Sequence, residues 1–437
     1  MHLTIPEPDI TLYEDGFEKH DQLSRKADGD RLSELLTKIN EPLVVALNGP
    51  WGSGKSFFLK CWVGEHLKRE GNSGLTLYFD AFANDYLDDP LIALTGAIKE
   101  RLDEGTAGKK YWEKARAVAP ALGRAAFRIA VAGATAGVVR RADEIGDAIA
   151  NAASGELTNA ADAFWKQEQG RRTAMQTFRQ ALTELAGETR LIIVIDELDR
   201  CRPDYALSLL EVIKHFFNVD NVHFILGVNL DALRNTVRAR YGAGIDAAQY
   251  LQKFIQLTMV LRPAGRDPDS VVYLQQKAAK IGLPGALANI LQEYCELPEI
   301  ADRLTLRDVE RILTRCALLP NDFGNNNNWP VADSVVTAIF LETLAPDLYR
   351  AFRNRETTEK EIKDFFGLPS AKDLNNQRFR REISYAINLY LADQPDPDAR
   401  EQAQYAGFRW SFDKPYHAAI SVALTHCLDS FTLSASG

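Results

Sequence analysis

The sequence has few cysteines, and none of them are paired at metal-ligand spacing. Its 437 residues contain five cysteines, which are scattered along the chain and form no C-x-x-C pair. A disulfide framework needs an even set of paired cysteines, and a thiolate zinc site needs closely spaced ones, so neither is expected. The pattern is typical of a reducing compartment, where each thiol packs as a small buried hydrophobic group.

A secretory signal and an excess of positive charge are also missing. The amino-terminal stretch MHLTIPEPDITLYEDGFEKH is acidic and has no long apolar core, so we expect a cytoplasmic protein. The formal net charge is −9, from 51 basic and 60 acidic side chains. An acidic chain binds nucleic acid or an anionic membrane poorly unless it carries a local basic patch.

One loop carries the pattern of a phosphate-binding loop. GPWGSGKS fits G-x-x-x-x-G-K-[ST] in full, between the apolar run PLVVAL and a helical pattern. Glycines let successive backbone N–H groups turn toward a phosphate, and the helix adds its positive dipole end. We predict that Lys55 reaches the β and γ phosphates of ATP and that the Ser56 hydroxyl binds Mg²⁺. The predicted nucleotide-binding residues are Gly49, Pro50, Trp51, Gly52, Ser53, Gly54, Lys55, Ser56 and Phe57.

A second apolar run, which ends in two acids, supplies the other half of the predicted site. RLIIVIDELDRC is typical of a buried parallel strand that ends at Asp196 and Glu197. Ligands bind at the carboxyl edge of such sheets, so both side chains are expected near the phosphate loop. We predict that Asp196 holds Mg²⁺ through water and that Glu197 orients and deprotonates the attacking water. The alternative is that both acids only cap the following turn.

Two other polar side chains near these motifs have two interpretations each. Asn229 ends the strand pattern NVHFILGVN, where its amide would contact the γ-phosphate or the water, or would only lead into a helix. Arg200 follows the two acids. It would act across a subunit boundary as an arginine finger, or it would pair locally with Asp199 or Asp204.

Together these motifs resemble the KAP family of P-loop NTPases. The family pattern combines G-x-W-G-S-G-K-[ST] with an apolar strand, two acids, Leu-Asp-Arg and Cys, which GPWGSGKS and IDELDRC match here. The segments LYFDAFAND, YLQKFIQLTMVLRP and TLRDVERIL are similar as well, so the resemblance spans about residues 20–315. Asp80 and Phe82 depart from the family, which usually has Asn and Trp there.

The resemblance implies both a fold and a function. It implies an α/β P-loop NTPase core with a mainly parallel sheet flanked by helices, and the residue patterns add a helical insertion and an α-helical carboxyl-terminal region. It implies Mg²⁺-dependent hydrolysis of ATP to ADP and phosphate that is slow without a partner. The family includes bacterial proteins that exclude phage and membrane-associated signalling scaffolds, so the expected role is a switch in anti-phage defence.

The region between the two motifs, about residues 103–172, is expected to be a helical insertion rich in alanine. Lys109 to Arg141 contain eight basic residues and one acid, and the longest charge-free part is Ile129 to Val139. As a helix that part would span about 16 Å, half of a ~30 Å hydrocarbon core, so no transmembrane span is expected. Three interpretations stay open: a hairpin packed on the core, a helix on an anionic membrane surface, or a contact for nucleic acid or protein.

We expect two domains, a P-loop core over residues 1–262 and an α-helical lid and carboxyl-terminal domain over residues 263–437. TLRDVERIL is predicted to be a helix that begins with the S/T-x-x-D pattern of Thr305 and Asp308. Arg307 and Arg311 lie four residues apart and share one helix face. By the resemblance they lie near a lid over the nucleotide, where either would stabilise γ-phosphate charge. The alternative is an ordinary salt-bridge face.

The leading hypothesis is an ATP-hydrolysing switch, in which the helical part closes over ATP and changes a surface for a protein partner or for self-association. A nucleic-acid-stimulated motor or loader is an alternative, although the second RecA-like domain and arginine motifs of a helicase are not found. A scaffold that binds ATP without hydrolysis and a small-molecule kinase are further alternatives.

Overall fold

The computed structural model describes most of the chain, in segments separated by gaps. The basic stretch from Lys109 to Arg141 and the predicted domain boundary at residues 262 and 263 lie outside the described residues. The structure describes residues 9–21, 23–69, 74–87, 89–104, 175–176, 178–187, 190–216, 218–261, 270–319, 323, 329–368, 378–405 and 416–429.

A five-stranded sheet forms the centre of the first part of the chain. The strand order is β2-β3-β4-β1-β5, and every neighbouring pair is parallel. Strands β3 and β4 are buried along their whole length, as expected of strands that helices cover on both faces. The strands are β1 Leu43–Asn48, β2 Leu75–Asp80, β3 Leu191–Asp196, β4 Val222–Val228 and β5 Leu257–Val260.

Helices surround the sheet and then continue alone toward the carboxyl terminus. Two short 3₁₀ turns, Phe82–Asn84 and Leu198–Arg200, follow β2 and β3. The helices before β5 are α1 Phe17–His20, α2 Lys26–Lys38, α3 Lys55–Lys68, α4 Pro90–Glu104, α5 at residues 178–187, α6 Pro203–Lys214, α7 Leu230–Tyr241 and α8 Ala247–Leu251.

The chain described after residue 270 contains helices and no strand. The predicted fold class, an α/β core with a mainly parallel sheet and an α-helical carboxyl-terminal region, is confirmed. These later helices are α9 Ser270–Ile281, α10 Gly285–Cys295, α11 Pro298–Ala301, α12 Leu306–Ala317, α13 Trp329–Leu344, α14 Pro346–Arg353, α15 Glu359–Phe366, α16 Arg378–Leu391, α17 Pro397–Tyr405 and α18 Tyr416–Leu428.

Alternate residues of β1 enter different apolar clusters on the two faces of the sheet. Val44 and Ala46 join one cluster, whereas Val45 and Leu47 join another that contains Trp62 of α3. This alternation follows from the two-residue period of side chains along a strand. A third cluster holds the helices after α8 together. The phosphate loop therefore connects a strand and a helix that are both anchored in apolar cores.

Side chains cover part of the sheet edge at β2. The Tyr13 hydroxyl accepts a hydrogen bond from the Tyr78 backbone N–H at 3.0 Å, and the Arg101 guanidinium lies 3.5 Å from the centre of the Tyr13 ring. Arg101 also donates to the Thr76 carbonyl at 3.1 Å. Occupied backbone groups cannot pair with another strand, so this cover protects the edge from association.

The sheet order decides where the functional groups meet. Strand β4 lies between β1 and β3, and its register places Val228 beside Asn48 and Gly227 beside Asp196. The phosphate loop and the two acids therefore leave the sheet at its carboxyl edge, with one strand between them. Within the described residues, no helix combines the length and apolarity that a membrane crossing requires.

Candidate functional site

The loop between β1 and α3 needs glycine for both conformation and contact. Gly52 and Gly54 have φ values of 80° and 83°, in the left-handed region that side chains strain. A Cβ atom on Gly52 would lie 2.5 Å from the Arg307 Cβ, and one on Gly49 would lie 2.7 Å from the Ser53 Oγ. The glycines of the sequence motif therefore allow both the turn and the close approach of α12.

Lys55 is the first residue of α3 and is buried inside the loop. Its Nζ donates to the Gly49 carbonyl at 2.7 Å and to the Pro50 carbonyl at 3.1 Å. Burial lowers the pKa of Lys55, while the nearby Asp199 and Asp196 carboxylates raise it. The loop thus contains a desolvated cation, which attracts phosphate more strongly than an exposed lysine would.

Asp196 lies at the end of β3 and is fully buried. It accepts hydrogen bonds from the Tyr78 hydroxyl at 2.7 Å, from the Glu197 backbone N–H at 2.9 Å and from the Ser56 side chain. Burial raises the pKa of Asp196, and these three hydrogen bonds lower it. A Cβ atom on Gly227 would lie 2.3 Å from the Asp196 Oδ1, so this carboxylate packs directly against the β4 backbone.

Glu197 has an unusual backbone conformation and a local ion pair. Its φ of 58° is left-handed, and its Oε1 lies 2.6 Å from the Arg200 Nη1. Burial raises the pKa of Glu197, and the Arg200 guanidinium lowers it. Arg200 is therefore in a local ion pair in this chain, but with Glu197 rather than with Asp199 or Asp204. Asp199 instead accepts from the Trp51 Nε1 at 2.6 Å, which joins the phosphate loop to the turn after β3.

A cavity of about 470 Å³ extends from this edge to the helices of the second part of the chain. We call Lys55, Ser56, Asp196 and Glu197 its α/β wall. The facing side chains come from α9 and α12, and we call them the helical wall. The helical wall consists of Tyr273, Lys277, Arg307 and Glu310.

The side chains of the helical wall contact one another. The Tyr273 hydroxyl donates to Glu310 at 2.8 Å, and the Lys277 Nζ lies 3.5 Å from the same carboxylate. Lys277 is buried, and this burial lowers its pKa while Glu310 raises it. The wall therefore presents a partly desolvated cation to the cavity.

Helix α12 also contacts the phosphate loop through its backbone. The Arg307 N–H donates to the Gly52 carbonyl at 3.3 Å. The predicted helix start is confirmed, because Thr305 and Asp308 form a capping box. The Thr305 Oγ1 accepts from the Asp308 N–H at 3.2 Å, and the Asp308 Oδ2 accepts from the Thr305 N–H at 3.0 Å. The capping box fixes the first turn of α12 and, with it, the position of Arg307.

The other predicted residues divide between the cavity and its surroundings. Trp51 and Phe57 line the cavity, as do Gly52 and Gly54. Asn229 and Arg311 are not among the described residues that line the cavity. The Asn229 side chain accepts from the Asp231 and Ala232 N–H groups and so caps α7, while Arg311 is half-buried one turn beyond Arg307.

Comparison with known proteins decides the family. The family model described as the KAP family P-loop domain matches residues 28–319, which is more than half of the chain. The chain belongs to the KAP family of P-loop NTPases. The resemblance predicted from the motifs is thereby confirmed, and the KAP chain is a nucleotide-binding NTPase by family. No curated protein matches the sequence.

Among solved structures, the KAP chain is similar to the Aeropyrum pernix ORC2 protein in its ADPNP and ADP complexes. The identity is 13%, and the alignment covers 92% of this chain and 94% of that one, with a TM-score of 0.36. A similarity at this level supports no functional comparison.

The residues of the KAP site fit a nucleoside triphosphate with Mg²⁺. Mg²⁺ is usually held by one or two carboxylates, a hydroxyl and phosphate oxygens rather than by an all-protein cage. Ser56 and Asp196 are already in hydrogen-bond contact and offer such oxygens. Gly52 and Gly54 of the loop line the cavity, and Lys55 and Lys277 place positive charge on both sides of it.

Several residues at the KAP site were not predicted from any sequence motif. Arg25 is buried and donates to the Ser53 carbonyl at 2.9 Å, and so holds the phosphate loop from the amino-terminal side. Lys277 and Tyr273 belong to an ordinary amphipathic helix pattern. Only Tyr78, which lies in the segment LYFDAFAND, could have been found, since that segment is part of the family resemblance.

Proposed function

We propose that this KAP protein binds ATP with Mg²⁺, hydrolyses it, and uses the nucleotide to control the position of its helical part. The observation that carries the proposal is that a single cavity is lined by the α/β wall and by the helical wall. A ligand in that cavity contacts both parts of the chain, so its affinity depends on how they are placed.

On the α/β wall, Lys55 would bind the β and γ phosphates, and Ser56 and Asp196 would hold Mg²⁺. When bound, the metal neutralises charge on the phosphate oxygens. The remaining P-loop residues, from Gly49 to Phe57, would surround the triphosphate, with the backbone N–H groups of Gly52 and Gly54 as its donors. Pro50 has no N–H, and the N–H groups of Gly49 and Ser53 donate to the Val228 and Pro50 carbonyls. Asn229 stays a candidate for contact with the γ-phosphate or the attacking water, although its side-chain oxygen caps α7.

Glu197 would orient the attacking water and accept its proton. The side chain lies beside Asp196 and lines the cavity, and its raised pKa keeps it a stronger base than an exposed glutamate. The ion pair with Arg200 holds the carboxylate at one position. We infer that this pair must shift, or tolerate the water between its members, before the proton can move.

On the helical wall, Arg307 would contact the γ-phosphate at the mouth of the cavity, with Arg311 as the second candidate on the same face. Because the Arg307 N–H of α12 donates to the Gly52 carbonyl, a small change in the loop would move α12 directly.

We also propose a division of the chain near residue 262, with the P-loop core before it and a lid and carboxyl-terminal domain after it.

The physiological proposal is a role in bacterial anti-phage defence, through a protein partner or self-association, and it rests on the family resemblance alone. Cells that express the chain should plate phage less efficiently than cells that express the Lys55→Ala variant. Equal plating over a panel of phages would contradict this role and leave the ATPase proposal untouched.

Hydrolysis is tested by phosphate release from ATP and Mg²⁺. We expect Glu197→Gln to bind ATP with unchanged affinity and to lose about 10²- to 10⁴-fold in rate, because only the proton acceptor is removed. Glu34→Gln, at an exposed position of α2, is the matched control and should keep the parental rate. Parental activity in Glu197→Gln would refute the base assignment, and ATP binding without any turnover would identify a scaffold.

The switch itself is tested by amide hydrogen exchange. With a slowly hydrolysed ATP analogue, the amides of α9 and α12 should become more protected than those of α14, which lies away from the cavity. Protection confined to the phosphate loop would mean that nucleotide binding is not transmitted to the helical part.

A further inference from the structure

A second cavity, of about 690 Å³, lies apart from the nucleotide site. The two cavities share no lining residue in the described part of the chain. Lys214 ends α6 and His215 follows it, before β4 begins, and Tyr250 and Phe254 precede β5. The cavity therefore lies near the amino ends of these strands, whereas the phosphate loop follows the carboxyl end of β1. We call this cavity the second groove.

Three aromatic rings contact one another in a row from the surface into the second groove. The ring centres of Tyr241 and Tyr250 are 5.3 Å apart, and those of Tyr250 and Phe254 are 5.4 Å apart. Tyr241 is 48% exposed, whereas Phe254 is only 3% exposed. Tyr241, the outermost of the three rings, is therefore the one most accessible to a ligand, and it lies in contact with the Tyr250 ring.

Basic side chains surround these rings. Arg179, Lys214 and Lys253 line the second groove, and Glu211 is the one acid among its described lining residues. The Lys214 Nζ lies 5.7 Å from the Phe254 ring centre, and the Lys253 Nζ lies 5.2 Å from that of Tyr250. On a chain with a net charge of −9, this is a local concentration of positive charge beside aromatic faces.

We propose that the second groove binds a nucleotide unit, with its base stacked on Tyr241 and its phosphate near Lys214 and Lys253. Single strands are bound in this way, by aromatic platforms beside a basic groove. An acidic peptide would use the positive charge but not the flat ring face, and an apolar ligand would use the rings but not the charge. A volume of about 690 Å³ suits a small ligand or one segment of a strand.

The unit could come from single-stranded nucleic acid or from a free nucleotide, and the experiment separates these sources. Fluorescence anisotropy of a labelled oligothymidylate of about 15 nucleotides reports binding to the full chain without ATP, at about 50 mM and about 200 mM salt. Because no ATP is present, the result does not depend on the proposed ATPase function.

Tyr241→Ala should weaken binding at least about fivefold, the lower bound for the loss of one stacked base. Tyr241→Phe keeps the ring and should bind like the parent. Lys253→Gln should weaken binding and reduce the salt slope by about one. The matched controls are Tyr86→Ala, at a tyrosine that is 74% exposed outside the groove, and Lys360→Gln, at an exposed lysine of α15.

Competition with unlabelled thymidine monophosphate and with the unlabelled strand then identifies the source of the nucleotide unit. Displacement by the monophosphate at concentrations similar to those of the unlabelled strand supports a free nucleotide, and displacement by the strand alone supports nucleic acid. Two results would overturn the proposal: no binding at the lower salt concentration, or equal affinity in Tyr241→Ala and Tyr86→Ala. An oligonucleotide affinity that is the same in all the groove variants would come from a different site on the chain.

Discussion

The α/β wall carries its functional groups on a glycine turn and a strand end, whereas the helical wall carries them on the faces of two helices. Lys55 and Asp196 are buried, with Lys55 bonded to the loop backbone and Asp196 to the half-buried Tyr78, so the surrounding structure fixes their positions. Arg307 is exposed, and its backbone N–H donates to the Gly52 carbonyl at 3.3 Å. The difference indicates that one wall is suited to chemistry and the other to responding to what is bound.

The comparison is tested most strongly by Lys55→Ala. Removing a desolvated cation from the phosphate loop should cost about 2 to 5 kcal/mol of ATP binding free energy, because the phosphates then lose a buried charged partner. Titration calorimetry with ATP and Mg²⁺ measures the loss. Lys360→Ala is the exposed control, and equal affinities in both variants would show that the loop lysine does not bind phosphate.

A smaller effect is expected on the helical wall from Arg307→Ala. Arg307 lies at the exposed mouth, so its loss should cost about 1.5 kcal/mol, or about tenfold in ATP affinity. Arg311→Ala, four residues along the same helix, is the matched variant outside the cavity lining and should change affinity less. Equal losses would place both arginines on the nucleotide, and a loss as large as that of Lys55→Ala would remove the distinction between the walls.

The smallest effect concerns the pH dependence of hydrolysis. Glu197 acts as a base only when deprotonated, so the rate should rise with pH through its pKa and then level off. Arg200 lowers that pKa, and Arg200→Ala should therefore move the acidic limb of the pH–rate profile to higher pH. A limb that moves to lower pH, or stays in place, would mean that Arg200 does not act on Glu197.

Much of the fold could be predicted from the sequence, because its signals are local. The buried strands before Gly49 and Glu197 are continuous apolar runs, and Thr305 with Asp308 defines a helix start within four residues. The partner of Arg200 was less predictable. Local spacing favoured Asp199 or Asp204, but Asp199 is taken by Trp51, and the left-handed backbone at Glu197 brings that carboxylate to the arginine instead.

By itself, the sequence determined the phosphate loop, since eight consecutive residues contain the glycines, the lysine and the serine whose geometry follows from allowed backbone angles. It also determined the family. Only the tertiary structure decided what faces that loop. Ser56 meets Asp196 because only β4 lies between β1, which leads into the phosphate loop, and β3, which ends at Asp196. Lys277 reaches the cavity because α9 packs beside α12. Contacts between residues far apart in the chain depend on strand order and helix packing, which no local pattern encodes.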